Sequence, residues 1–139
     1  MGKPTERRVE ILLAEDNLPY LEILQRRLRA VSFPYSLSVV SDGEAALAFL
    51  RRHAPYRAVP TPGLILLDVH LPQKSGWEVL AWLRATPALA TIPVVMLTGA
   101  LSSFDKQERA RLQPTRCVVK PITVEEYQDL IKTLEEVVC

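Results

Sequence analysis

The stretch Gly63-Leu64-Ile65-Leu66-Leu67-Asp68 decides the fold, because it is an apolar run that stops on an acid. Continuous apolar runs of this length are typical of strands that lie in a parallel sheet and are buried on both faces. Three other runs also stop on residues with reactive head groups, at Glu15-Asp16, Thr98 and Lys120. Because ligands bind at the carboxyl ends of parallel strands, we expect these four ends to form one site.

Apolar runs alternate five times with segments of helical periodicity, which indicates βαβ units, an α/β fold class and a parallel sheet of five strands. Good capping residues mark several helix starts: Asn17, and the capping boxes that pair Ser102 with Asp105 and Thr123 with Glu126. The segment 54–62 holds three prolines and should form an ordered loop. The predicted strands are 9–14, 36–40, 63–68, 93–98 and 117–120, and the better-bounded helices are 76–85 and 123–137.

Length and composition favour one globular domain that is neither secreted nor embedded in a membrane. The chain has 139 residues, 48% of them hydrophobic, with a formal net charge of +1. This charge gives no footprint for nucleic acid or anionic lipid, and no apolar stretch approaches the ~20 residues of a membrane span. The N-terminus lacks the apolar segment of a signal peptide, so we expect a cytoplasmic protein. Cys117 is expected to be a small buried residue, and nothing marks Cys139 as functional.

The acids at two strand ends predict a metal site with phosphoryl chemistry. Three carboxylates at close range are unfavourable unless a cation or a proton intervenes. Mg²⁺ prefers one or two carboxylates, waters and phosphate oxygens, so we expect Asp16 and Asp68 as direct ligands and Glu15 as a ligand through water. With that charge neutralised, the Asp68 carboxylate can attack a phosphoryl group and form an acyl phosphate.

The other two strand ends supply groups that suit a phosphate. The Thr98 hydroxyl can donate to a phosphoryl oxygen, and the Lys120 ammonium can pair with the same anion. Lys120 precedes Pro121, and we expect a cis peptide bond there, because it would aim the lysine into the site.

At this point the residues resemble a known family, the receiver domains of two-component response regulators, which are similar to the bacterial chemotaxis regulator. The resemblance covers roughly residues 9 to 137, and each motif is weak alone but specific in combination. The matching motifs are Leu12-Leu13-Ala14-Glu15-Asp16-Asn17, Leu66-Leu67-Asp68-Val69-His70-Leu71-Pro72 with Gly76, Val95-Met96-Leu97-Thr98 and Val118-Val119-Lys120-Pro121.

The resemblance implies a doubly wound (βα)5 flavodoxin-like fold with strand order 2-1-3-4-5. It implies that Asp68 takes a phosphoryl group from the phosphohistidine of a sensor histidine kinase with Mg²⁺ present, so that the domain is no enzyme beyond slow autophosphatase activity. His70 would give its backbone carbonyl to the metal, and Thr98 and Lys120 would contact the phosphate. We expect residues 1–8 to be an N-terminal extension and residues 9–139 to be the receiver domain, with no output domain.

Three residues depart from the family pattern. Cys117 stands three residues before Lys120, where the family usually has an aromatic switch residue, so the usual coupled movement of threonine and ring cannot occur in that form. Ser75 stands where many members have aspartate, which should alter only loop capping. Glu15 replaces the commoner aspartate and reaches a metal-bound water more easily.

A finer resemblance links the chain to small stand-alone regulators that are paired with phytochrome-type sensor kinases. The segments that carry it are 40–52, the proline-bearing loop before the third strand, and 71–80. Some of these regulators dimerise through helix 4, strand 5 and helix 5, which makes a homodimer through that face an expectation for this chain. The apolar positions of the last helix, from Tyr127 to Val137, exceed what an edge helix needs and suggest a contact with a second copy or a kinase.

Alternative interpretations stay open at this stage. Asp68 could be a helix-capping acid at the end of a plain core strand, and His70 is expected to point to solvent beside the site. The chain could be an aspartyl phosphatase that resembles the haloacid dehalogenase group, although His70 stands where those enzymes have a second aspartate. It could also be a receiver-like module that binds partners without phosphorylation, given Cys117. A flavin-binding domain is disfavoured because no phosphate loop rich in Ser or Thr follows the first strand.

Overall fold

A computed structural model of the chain describes residues 8–138, over which five strands and five helices alternate. The N-terminal extension, apart from its last residue, and Cys139 lie outside the described residues. The elements are β1 (Val9–Ala14), α1 (Leu18–Leu28), β2 (Tyr35–Val40), α2 (Gly43–Arg51), β3 (Leu64–Asp68), α3 (Gly76–Arg84), β4 (Val94–Thr98), α4 (Ser103–Leu112), β5 (Arg116–Val119) and α5 (Val124–Val138).

The strands form one parallel sheet in the order β2-β1-β3-β4-β5, which confirms the predicted doubly wound topology. Alternate residues of each strand enter two separate cores. Leu12, Ile65 and Met96 pack with α2 and α3 on one face of the sheet. Leu13 and Leu66 pack with α1 and α5 on the other. Burial on both faces explains why β3 and β4 read as unbroken apolar runs.

Helix caps lie where the sequence places them. Asn17 caps α1, and its side chain accepts a hydrogen bond from the Tyr20 N–H at 3.0 Å. The capping box of Ser102 and Asp105 opens α4. Reciprocal hydrogen bonds between Thr123 and Glu126 hold the start of α5. These side chains satisfy N–H groups that a helix leaves unpaired at its first turn, and so they fix where each loop from the sheet turns into a helix.

The loop after β3 is packed closely against the strand that it leaves. Ser75, which departs from the family pattern, caps α3 and forms a capping box with Glu78. A Cβ atom at Gly76 would meet the backbone oxygen of Asp68. The Gly76 N–H donates to the Val69 oxygen at 2.9 Å, which ties the loop to the residue beside Asp68. This close approach holds the end of β3 in place.

Some element bounds differ from the predictions. β5 begins at Arg116 and ends at Val119, one residue earlier at each end than predicted. α1 ends at Leu28, so Val31 lies after the helix rather than on its face. The proline-bearing segment 54–62 forms neither helix nor strand, as predicted. Among residues 8–138, no helix is long and apolar enough to cross a membrane.

Candidate functional site

The four predicted strand ends meet at one edge of the sheet. Glu15, Asp68 and Thr98 are buried there, with exposures of 0%, 3% and 1%, whereas Asp16 is exposed. Parallel pairing places Asp68 beside Leu97, the residue before Thr98, and so brings the ends of β3 and β4 together. Glu15, Asp16 and Asp68 each offer a carboxylate oxygen, and these atoms lie within 4.8 Å of one another. The sheet thus gathers the three acids that the sequence singles out.

Lys120 is the positive partner of these acids. Its Nζ donates to Asp68 Oδ2 at 3.0 Å and to Glu15 Oε2 at 3.2 Å, and its backbone N–H donates to the Thr98 oxygen at 2.7 Å. Burial opposes the charged form, but the hydrogen bonds to Glu15 and Asp68 hold the pKa of Lys120 above its ordinary value. Lys120 therefore stays an ammonium at neutral pH.

The prediction of a cis bond between Lys120 and Pro121 is wrong. The cis X-Pro bond found among the described residues joins Ala54 to Pro55, in the long loop before β3. A trans bond after Lys120 is compatible with the site because the four-carbon stem carries Nζ to both carboxylates without it. Nothing then offsets the ordinary preference of about 0.5–1 kcal/mol for the trans form.

Glu15 is a fully buried carboxylate beside the Lys120 ammonium. Burial raises the pKa of the Glu15 carboxyl, and the charge of Asp68 adds to this, although hydrogen bonds from Lys120 and Asn17 oppose it. Its Oε1 is buried and accepts no hydrogen bond from the described residues, although Lys120 Nζ lies 3.0 Å away. Three carboxylates within 4.8 Å of one another share the Lys120 ammonium, and the remaining negative charge suits a hard divalent cation. The donor set therefore fits Mg²⁺.

Asp68 lies at the floor of an open cavity. The cavity has a volume of about 640 Å³. Its lining includes Asp16, Asn17, His70, Gly99 and Lys120. Oδ1 of Asp68 accepts a hydrogen bond from the His70 N–H at 3.0 Å, and Oδ2 accepts one from Lys120. The carboxylate is thus held by two donors and remains reachable from solvent through the cavity.

Thr98 lies at the strand end beside the acids, but its hydroxyl makes a local contact. Oγ1 donates to the Ala100 oxygen at 3.4 Å, a long hydrogen bond within the loop that follows β4. Such a bond is weak, and the hydroxyl can rotate toward another acceptor at small cost.

His70 projects largely into solvent, as expected, with a side chain that is 64% exposed. Its Nε2 lies 3.8 Å from Oδ2 of Asp105, the buried acid in the first turn of α4. Asp105 also accepts hydrogen bonds from the Trp77 indole and from the Ser102 N–H and hydroxyl, each at 2.9 Å. The sequence predicts the cap but not these tertiary contacts, because Trp77 lies 28 residues away and carries no motif.

The contact between Tyr20 and Lys120 is a second one that the sequence does not predict. The tyrosine ring lies under the Lys120 ammonium, with Nζ 4.8 Å from the ring centroid. Nothing in the α1 pattern distinguishes this tyrosine from a residue of the helix surface, because its partner lies at the end of β5.

The structure revises the expectations for Cys117 and the last helix. Cys117 is half-buried rather than buried because β5 is an edge strand, and burial raises the pKa of its thiol. The apolar face of α5 is covered by the protein's own core, so it is not available to a partner. Its buried residues are Tyr127, Leu130, Ile131 and Leu134. Apolar side chains of α4, of β5 and around the start of α5 that remain exposed are Phe104, Val119, Ile122 and Val124.

The sequence is similar to a known family and to curated proteins. The sequence profile of the response regulator receiver domain matches residues 11–132. The chain is 44% identical over 95 residues to response regulator Rcp1 of Synechocystis sp., an alignment that covers 68% of this chain and 65% of Rcp1. It is 34% identical over 128 residues to the probable methanogenesis regulatory protein FilR2 of Methanothrix harundinacea, which covers 91% of this chain and 79% of that protein.

Two solved structures share the fold closely. The phosphorylated cyanobacterial phytochrome response regulator RcpA superposes with a TM-score of 0.84 at 33% identity, over 94% of this chain and 93% of RcpA. The Mn²⁺-bound form of Rcp1 superposes with a TM-score of 0.79 at 35% identity, over 93% and 91% of the two chains. The profile match spans the sheet, the acid cluster and Lys120, so the chain belongs to the response regulator receiver domain family.

Proposed function

We propose that this receiver domain accepts a phosphoryl group on Asp68 from the phosphohistidine of a sensor histidine kinase. One observation carries the proposal: Asp68 Oδ2 lies 3.0 Å from Lys120 Nζ at the floor of an open cavity, beside two further carboxylates. In the transfer, a carboxylate oxygen of Asp68 forms a bond to phosphorus while the bond from phosphorus to the kinase imidazole breaks. The imidazole nitrogen keeps the electron pair, and the product is an acyl phosphate.

Glu15, Asp16 and Asp68 would hold the Mg²⁺ ion, with the backbone carbonyl of His70 as a further ligand. Three carboxylates against the one ammonium of Lys120 leave two negative charges unbalanced, which a divalent cation matches. When bound, Mg²⁺ supplies charge neutralisation at the phosphoryl oxygens. The metal therefore serves the transfer by lowering the repulsion between an anionic donor and an anionic acceptor.

Lys120 and Thr98 would bind the transferred group. Lys120 already contacts Asp68 and can pair with a phosphoryl oxygen by a small movement of its stem. The Thr98 hydroxyl can exchange its long bond to Ala100 for a shorter, charge-assisted one to the phosphoryl group. Both movements would be local. They would change the positions of side chains at the ends of β4 and β5 in response to the phosphoryl charge.

A phytochrome-type sensor kinase is the donor that we propose. The similarity to Rcp1, and to RcpA, which is itself a phytochrome response regulator, supports this choice. We also propose that the protein acts in the cytosol. Residues 1–8 would be an extension, and the receiver 9–139 would respond through its own surface.

The surface that responds would be the face formed by α4, β5 and α5, where two copies of the chain would dimerise. The α4 and β5 edge exposes the cations Lys106, Arg109 and Arg116, and α5 exposes the acids Glu125, Asp129 and Glu136. A two-fold axis would set the cations of one copy against the acids of the other. Exposed Phe104 and Val119 would supply apolar contact at the same face.

Incubation with Mg²⁺ and acetyl phosphate, followed by intact-mass measurement, tests the proposal. Wild type should gain one phosphoryl group, and Asp68→Asn should gain none. Beryllofluoride with Mg²⁺ should shift the wild type toward dimer in size-exclusion chromatography with light scattering, and Asp68→Asn should not respond. An equal mass gain in both chains would refute Asp68 as the acceptor. Full partner binding by Asp68→Asn would instead favour the module that acts without phosphorylation.

A further inference from the structure

Tyr20 lines a groove on the α1 side of the molecule, and its ring also faces Lys120 of the acidic cavity. The groove has a volume of about 480 Å³ and is lined by Tyr20, Ile23, Pro121 and Tyr127 among others. The Asn17 side chain accepts a hydrogen bond from the Tyr20 N–H, so the helix cap fixes the position of its backbone. The Tyr20 ring thus lines the groove and also contacts Lys120, which lines the acidic cavity.

The Lys120 ammonium is held between two kinds of partner. On one side it contacts carboxylate oxygens of Glu15 and Asp68 at 3.0 Å. On the other side the Tyr20 ring lies with its centroid 4.8 Å from Nζ, within the range of a cation–π contact. A lysine stem is flexible and rich in rotamers, so carboxylates alone do not fix the direction from which Nζ approaches Asp68.

The ring of Tyr20, rather than its hydroxyl, makes this contact. The hydroxyl oxygen is buried and forms no hydrogen bond with Lys120 or with the site carboxylates. Burial also raises the pKa of the Tyr20 phenol, with smaller contributions from Tyr127 and the site carboxylates. The side chain is therefore neutral and presents the negative face of its π system to the cation.

We propose that Tyr20 is a positioning residue that holds the Lys120 ammonium over Asp68 for phosphoryl transfer. The inference rests on the proposed function. When a phosphoryl group joins Asp68, the carboxylate contacts of Lys120 change, whereas the ring contact does not depend on which anion Nζ faces. The ring thus supplies the constant part of the lysine's surroundings before and after transfer.

The test compares Tyr20→Phe, which keeps the ring, with Tyr20→Leu, which removes it, and uses Tyr35→Leu in β2 as a control for loss of a tyrosine elsewhere. The first measurement is the rate of Asp68 phosphorylation by acetyl phosphate with Mg²⁺. Tyr20→Phe and Tyr35→Leu should keep the wild-type rate, and Tyr20→Leu should be slower by about 3- to 30-fold, the range expected of one cation–π contact. A wild-type rate for Tyr20→Leu would overturn the proposal.

The second measurement needs no phosphodonor and separates positioning from a general structural role. In protein labelled with ¹³C-lysine, the Hε protons of Lys120, assigned with Lys120→Arg, should be shifted upfield by the ring. The shift should persist in Tyr20→Phe and vanish in Tyr20→Leu; an unshifted wild-type resonance, or one that Tyr20→Leu leaves in place, would refute the contact. A wild type that takes no phosphoryl group refutes the proposed function, while the resonance still decides whether the ring holds Lys120.

Discussion

Replacement of Asp105 by alanine should destabilise the protein far more than loss of an ordinary helix cap. Asp105 is 3% exposed, and it accepts hydrogen bonds from the Ser102 N–H and hydroxyl and from the Trp77 indole. The variant removes the capping box that opens α4. It also leaves a buried indole N–H without an acceptor, because Trp77 is 2% exposed.

The two losses can be given magnitudes. A capping side chain contributes about 1 kcal/mol, and an unsatisfied buried donor costs about 1–3 kcal/mol. Asp105→Ala should therefore lower the free energy of unfolding by about 2–4 kcal/mol. In urea, with a slope of about 1–3 kcal/mol/M, the midpoint should fall by about 0.7–4 M.

Urea unfolding followed by circular dichroism measures this loss, and Ser102→Ala is the matched control. That variant removes the hydroxyl that caps α4 but leaves Asp105 to accept from Trp77, so it should cost only about 1 kcal/mol. If Asp105→Ala costs no more than Ser102→Ala, the indole contact contributes nothing and the reasoning is refuted. In a Trp77→Phe background, the cost of Asp105→Ala should shrink, and strictly additive costs would contradict the pairing.

The Asp105 carboxyl, the loop after β3 and the acid cluster each allow a further test. Burial opposes ionisation of Asp105, but hydrogen bonds from Ser102 and Trp77 lower its pKa. The stability that the ionised carboxylate contributes is therefore present above the unfolded pKa of about 3.9 and is lost as the pH falls through the lower folded value. When urea unfolding is measured between about pH 5 and pH 2, Asp105→Asn should lose less stability than wild type. Gly76→Ala should lower the free energy of unfolding by about 1–3 kcal/mol, because the added Cβ meets the Asp68 backbone and lies 3.0 Å from Met96 Cε. Gly99→Ala is the control: its Cβ enters open space in the described structure, so it should cost less than about 0.5 kcal/mol. Mg²⁺ at a hundredfold excess over its Kd should raise the unfolding free energy by about 2.7 kcal/mol, and Asp16→Asn, at an exposed position, should lose most of that gain without unfolding.

The sheet and the acid cluster could be predicted because each depends on local sequence. Burial on both faces forces β3 and β4 to be continuous apolar runs, so their ends at Asp68 and Thr98 are visible without a structure. Parallel pairing then brings these strand ends to the same edge of the sheet, independently of the conformation of the loops. The capping boxes are likewise local, since Ser102 and Asp105 are three residues apart.

Contacts between distant elements could not be predicted in this way. Trp77 with Asp105, and Tyr20 with Lys120, each join helices or strands whose separation depends on packing rather than on a motif. The same limit explains the error at α5. Its apolar periodicity indicates a buried face but not what covers that face, and here Tyr127, Leu130, Ile131 and Leu134 pack into the protein's own core.

His70 connects the phosphoacceptor end of β3 with the start of α4. Its backbone N–H donates to Asp68 Oδ1 at 3.0 Å, and its imidazole lies 3.8 Å from Oδ2 of Asp105. Asp105 in turn holds the first turn of α4 and the indole of Trp77 in α3. In this chain His70 is therefore the single residue that lies between the Asp68 carboxylate and Asp105, the capping residue of α4.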